Sequence, residues 1–74
     1  MEKREQILAI IAEKADVEIE EIKDESTWAE LGLDSLDVVE LIMSLEDAFG
    51  IRISEEDTAT LNTVGEAIKY IEAR

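Results

Sequence analysis

The chain has 74 residues, with 20 acids against 7 bases and a formal net charge of −13, which is enough for one small domain that buries only about 60% of its unfolded surface. With no cysteine and no histidine, it has no disulfide, no thiolate metal site and neither the commonest general base nor the commonest metal ligand. The charge repels nucleic acid and anionic membrane surfaces and attracts basic protein patches, and no apolar run is long enough to span a membrane.

Residues 2–14 are expected to form the first helix, with Arg4, Ile7, Leu8, Ile11 and Ala15 on one face and Ile10 beside it. Ala, Glu, Gln and Lys favour helix throughout. The opening Met1 to Gln6 lacks the apolar core of a secretory signal, and helix-like sequence directly after Met1 points to a free-standing, cytoplasmic product. Residues 16–34 form a long connection. Val17, Ile19, Ile22, Trp28, Leu31 and Leu33 are spaced to pin it to the core at intervals. Thr27 and Glu30 have capping-box spacing, which predicts one helical turn. Trp28, the single tryptophan, is expected to anchor the loop in the core.

Leu31-Gly32-Leu33-Asp34-Ser35-Leu36 reads as a tight turn opening onto a second helix over residues 35–49. Gly32 can take backbone angles that a side chain forbids. Asp34 is placed as N-cap, to accept from the N–H of Leu36 or Asp37. Ser35 then stands on the first turn with its hydroxyl outside the core. Val38, Leu41, Ile42, Leu45 and Phe49 fall on one face of a 3.6-residue repeat, while Asp37, Glu40, Ser44 and Asp47 form a polar stripe. Gly50 is expected to end the helix. Ile51 and Ile53 are expected as two loop anchors rather than a strand, since no second strand exists to pair with them. Ser54 caps a short third helix that reaches about Ala59 or Thr60, with acids at its positive end, and Leu61 folds back on the core. Thr63 and Glu66 have capping-box spacing. The last helix is expected from Val64 to about Ala73, with Val64, Ala67, Ile68 and Ile71 inward. The fold class is therefore all-α. It is a small four-helix bundle of three longer helices and one short one, with a long first loop, in a single domain over residues 1–74. Ile7, Ile11, Leu31, Ile68 and Ile71 are expected to line the core with the stripe of the second helix.

A serine hydroxyl is a poor nucleophile without a base to activate it. The chain has no histidine, and Asp34 is occupied as a cap, so Ser35 is expected to be the substrate of an enzyme rather than a catalyst. Asp34-Ser35 taken alone is ordinary helix capping. In its context, however, Gly32-Leu33-Asp34-Ser35-Leu36 resembles the Gly-x-Asp-Ser-Leu signature of the acyl carrier proteins. The run from Asp37 to Phe49, the opening from Ile7 to Lys14 and the close from Thr63 to Ile71 are also similar to that family, so the resemblance covers essentially the whole chain. It implies that a separate phosphopantetheinyl transferase moves 4′-phosphopantetheine from coenzyme A onto Ser35, using magnesium, with Asp34 flanking the site. A phosphate there sits near a helix N-terminus, while Asp34 and Asp37 oppose its charge, so the site should be exposed. The arm imports the thiol that the sequence lacks. The chain is then a non-catalytic carrier of acyl groups as thioesters, most readily in fatty acid biosynthesis. Ser26, Ser44 and Ser54 do not follow Gly-x-Asp.

From Asp24 to Ile51 there are eight acids and no bases, namely Asp24, Glu25, Glu30, Asp34, Asp37, Glu40, Glu46 and Asp47. A charge run is usually a solvated face, but this one surrounds Ser35. Leu36, Val39 and Met43 lie off the core stripe and are expected to form the apolar centre of a docking surface, with Asp37, Glu40 and Asp47 among its rim. The resemblance implies partners that present Arg and Lys: the transferase, fatty acid synthesis enzymes and acyltransferases. It also implies that the aliphatic core can admit an acyl chain.

The chain departs from the usual family run. Trp28-Ala29-Glu30 precedes Leu31-Gly32, Leu33 fills a position usually held by a small residue, and the loop is slightly shorter than usual. Leu33 is expected as an extra contact beside the arm. A carrier for polyketide, peptide or another specialised acyl group is the alternative within the class. An acidic interaction module or DNA mimic without a prosthetic group is the alternative outside it, but leaves the Gly-x-Asp-Ser-Leu context unexplained. An EF-hand is excluded by the absence of its Asp-x-Asp-x-Asp-Gly spacing, although weak binding of divalent ions by the acids remains open. The high charge argues for a monomer.

Overall fold

The computed structural model describes residues 2–74. Four α-helices follow one another: α1 (Lys3–Ala15), α2 (Ser35–Phe49), the short α3 (Glu55–Thr60) and α4 (Val64–Glu72). A single 3₁₀ turn, Ile19–Glu21, interrupts the long first loop. No strand forms among the described residues. Thr27 and Thr63 make one isolated antiparallel bridge, and the Ile51–Ile53 segment is a loop, as expected, with Ile53 buried. The architecture is the all-α bundle that the apolar spacing implies.

The core is aliphatic. Ile7 and Ile11 of α1, Leu41 and Leu45 of α2, and Val64, Ala67, Ile68 and Ile71 of α4 lose essentially all contact with solvent. Val38, Phe49 and Leu31 pack against this cluster half-buried. On α1 the inward face is completed by Ala12. Arg4, expected on that face, instead lies exposed and pairs with Asp24 across the first loop. Burying its guanidinium would have required a partner inside the core, and no polar residue is buried there among the described residues.

The first loop is held as the spaced apolar residues predict, with one exception. Trp28 is buried, and its indole N–H donates to the Leu61 carbonyl at 2.7 Å. Thr27 and Glu30 make the expected reciprocal contacts: Thr27 N–H donates to Glu30 Oε1 at 2.9 Å, and Glu30 N–H donates to Thr27 Oγ1 at 3.2 Å. They frame the single expected turn, in which Leu31 N–H donates to the Thr27 and Trp28 carbonyls at 3.2 and 3.1 Å, and Gly32 enters the left-handed region (φ 80°) directly afterwards. Ile19, expected to pin the loop, is 42% exposed. It sits in the 3₁₀ turn, whose side chains project from the surface, and Ile22 takes the packed position. Leu33 anchors the loop as expected, but its second expected role, as a contact beside the arm, is not met. It is only 7% exposed and belongs to the core, so it fixes the approach to α2 and does not stand beside an arm.

The loop also organises α4. Asp24 and Ser26 offer their carbonyls to the N–H groups of Gly65 (2.8 Å) and Val64 (3.0 Å), which satisfies donors that a helix start leaves open. Thr63 and Glu66 complete the predicted capping box. Residue 65 must be small: a Cβ there would stand 3.0 Å from the Asp24 carbonyl oxygen and 3.2 Å from its Cβ. Ser54 caps α3 through Asp57 N–H at 3.1 Å, and Leu61 turns back into the core, both as expected.

Candidate functional site

The mouth of α2 is built by Asp34. Its Oδ1 accepts from Asp37 N–H at 2.9 Å, its carbonyl accepts from Val38 N–H at 2.9 Å, and its own N–H donates to Asp37 Oδ2 at 3.2 Å. This reciprocal capping box fixes the start of the helix within one residue. It also engages one oxygen of each flanking carboxylate with a backbone N–H group. The first two N–H groups of α2, those of Ser35 and Leu36, precede any intrahelical acceptor and remain at the positive end of the helix.

Ser35 is exposed on this first turn, and Leu36 beside it is 75% exposed. The core stripe of α2 faces the opposite way, with Leu41, Ile42 and Leu45 buried. A group attached at Ser35 Oγ therefore leaves toward solvent without displacing a packed side chain.

Along the outward face, Val39 (52% exposed) and Met43 (57% exposed) continue the apolar patch begun by Leu36. Glu40 and Asp47 are exposed on the same face. Asp37 is half-buried and held by the capping box. Most of the acids in the run are similarly engaged. Asp24 pairs with Arg4, Glu30 caps Thr27, and Glu46 Oε2 accepts from Ile53 N–H at 2.7 Å. Glu40 pairs with Lys14 of α1. These hydrogen bonds and ion pairs restrict how the carboxylates can turn, and Asp47 is the exposed acid on this face for which no such pairing is seen among the described residues. Periodicity along α2 could not reveal the Lys14–Glu40 pair, since it depends on how α1 crosses α2. The one available signal was a basic residue in the last turn of α1.

Compared with known protein families, residues 5–71 match the family described as phosphopantetheine attachment site. The chain belongs to that family. It is a phosphopantetheine-attachment domain of the acyl carrier type, and domains of this family carry a covalently attached 4′-phosphopantetheine. The residues present fit that group: an exposed hydroxyl, an open path to solvent and helix N–H groups beside the position of a phosphate. Such carrier domains are in general non-catalytic and interact with transferases and synthesis enzymes. No helix among the described residues is long and apolar enough to cross a membrane.

Proposed function

We propose that the chain, as one carrier domain over residues 1–74, holds 4′-phosphopantetheine on Ser35 and carries acyl intermediates of fatty acid biosynthesis as thioesters. The observation that carries this reading is the exposed Ser35 at a helix mouth whose two flanking carboxylates are tied into a capping box. When bound, the group supplies the thiol that the sequence lacks. The protein's own residues orient and present. Asp34 and Asp37 fix the first turn of α2, and Leu33 and Leu31 anchor the approach from below. Leu36, Val39 and Met43 offer an apolar contact, with Glu40 and Asp47 beside it, to enzymes bearing Arg and Lys near their active sites. The expected occupant of this face is a mainly basic protein surface, which the net charge of −13 attracts. The same reading makes Ser35 a substrate and not a catalytic nucleophile, and places the protein in the cytoplasm, where its modification draws on coenzyme A.

The test is loading. The phosphopantetheinylated protein is incubated with malonyl-coenzyme A and a malonyl transferase of fatty acid synthesis, and the product is then offered to the condensing enzyme. The reading predicts a hydroxylamine-labile malonyl adduct that Ser35→Ala abolishes, followed by chain elongation. Loading without elongation, or loading only by polyketide or peptide synthesis enzymes, would move the chain to a specialised pathway.

A further inference from the structure

Three ion pairs form among the described residues: Arg4–Asp24, Arg74–Asp57 and Lys14–Glu40. Only the last reaches the outward face of α2. The Lys14 side chain is 28% exposed, against 64% for Glu40. Its stem lies in the groove between α1 and α2 that Ile10, Glu13, Ser44, Asp47 and Ala48 also line. The ammonium is thus delivered to Glu40 from a partly covered position. The hydrogen bond to Glu40, reinforced by the nearby charges of Asp37 and Asp34, holds Lys14 above the usual lysine pKa, so it is cationic across the physiological range.

We propose that Lys14 is a specificity-determining residue of the docking face, a resident counter-ion that competes with a partner's cation for Glu40. The inference rests on the carrier reading above and concerns how its docking face discriminates. A partner arginine approaching Glu40 must displace Lys14 and then sit close to an ammonium of its own sign. That is a repulsive element directed against purely basic surfaces. A partner that sets a carboxylate beside its arginine meets both members of the pair and escapes the penalty. Lys14 thereby lowers affinity for the simplest basic docking surfaces.

The test compares phosphopantetheinyl transfer at low ionic strength in the full chain, using a transferase whose docking surface is basic and lacks acids. The variants are Lys14→Met, Lys69→Met, Glu40→Gln and the double variant Lys14→Met/Glu40→Gln. Lys69, exposed on α4, supplies the same change in net charge away from the pair. Lys14→Met should raise kcat/KM about two- to five-fold, chiefly through KM, the range expected of an exposed pair. Its rate should also depend more steeply on salt. Lys69→Met should do less, and the gain should vanish when Glu40 is already Gln. Equal effects of Lys14→Met and Lys69→Met, a gain that persists in the Glu40→Gln background, or a fall in kcat/KM overturns the proposal. Circular dichroism on each variant separates these outcomes from loss of folding. Absence of modification in the wild-type chain overturns the carrier reading instead.

Discussion

Trp28 donates its indole N–H to the Leu61 carbonyl across 33 residues of sequence, at 2.7 Å and out of solvent. The bond clips the first loop to the junction of α3 and α4, and it supports Leu33 and the turn that leads to Ser35. Trp28→Phe keeps most of the apolar surface but leaves a buried carbonyl without its donor. The expected loss is about 1–3 kcal/mol of unfolding free energy, read from urea denaturation by circular dichroism.

Asp16 ends α1 in the left-handed region, at φ 58° and ψ 47°, with its N–H donating to the Ala12 carbonyl. A side chain there is strained, and its negative charge lies at the negative end of the helix. Asp16→Gly removes both penalties, against the added freedom of glycine in the unfolded chain. A net gain of about 1 kcal/mol is expected, visible as a higher denaturation midpoint with an unchanged slope.

Tyr70 ties α4 to α3. Its hydroxyl donates to Asp57 Oδ2 at 2.6 Å, and the Arg74 guanidinium lies 4.4 Å from its ring centre. The hydrogen bond to Asp57 is the main cause that raises the phenol above its ordinary pKa, with desolvation adding to it. A folded value above the unfolded one means that the associated stability is complete below about pH 10 and is lost as pH rises through the folded value. Thermal unfolding of the wild type should therefore weaken above that pH more than that of Tyr70→Phe. The same variant should exchange the amide hydrogens of α3 faster than the wild type at neutral pH.

Asp47 is exposed on the face of α2 and takes no part in the capping box. Asp47→Lys should slow association with the transferase by about ten-fold or more at low salt and flatten the salt dependence, since rim charges act mainly on the encounter rate. Asp37→Lys is a poorer probe, because it also breaks the cap that positions Ser35. Stopped-flow binding across a salt series measures the effect.

The helices and their caps were legible because each rests on local chemistry. Asp34, Ser54 and Thr63 sit three residues before the N–H groups that they accept from, and the apolar periodicity of α2 and α4 states which face is buried. Long-range choices were not legible in this way. Ile19 looked buried because a 3₁₀ turn has no helical or strand periodicity to follow, and the spacing that placed Leu33 among the loop's anchors could not show that it is too deeply buried to stand beside an arm. Arg4 shares a helical face with Ile7, but its charge found Asp24 instead. The approach of Asp24 to Gly65 and of Lys14 to Glu40 depends on tertiary packing, and residue spacing carries no trace of either. The candidate site was readable for the opposite reason: Gly32 to Leu36 and the helix after it are contiguous, so sequence neighbours are also spatial neighbours.

The exposed Ser35 hydroxyl is expected to be the attachment point. The most direct test is the intact mass and peptide map of the chain after incubation with coenzyme A, magnesium and a phosphopantetheinyl transferase shown to be active on another carrier. One phosphopantetheinyl group per chain is expected, on the peptide containing Ser35, and none on Ser35→Ala. An unmodified wild-type chain, or modification at Ser26, Ser44 or Ser54, would contradict that expectation.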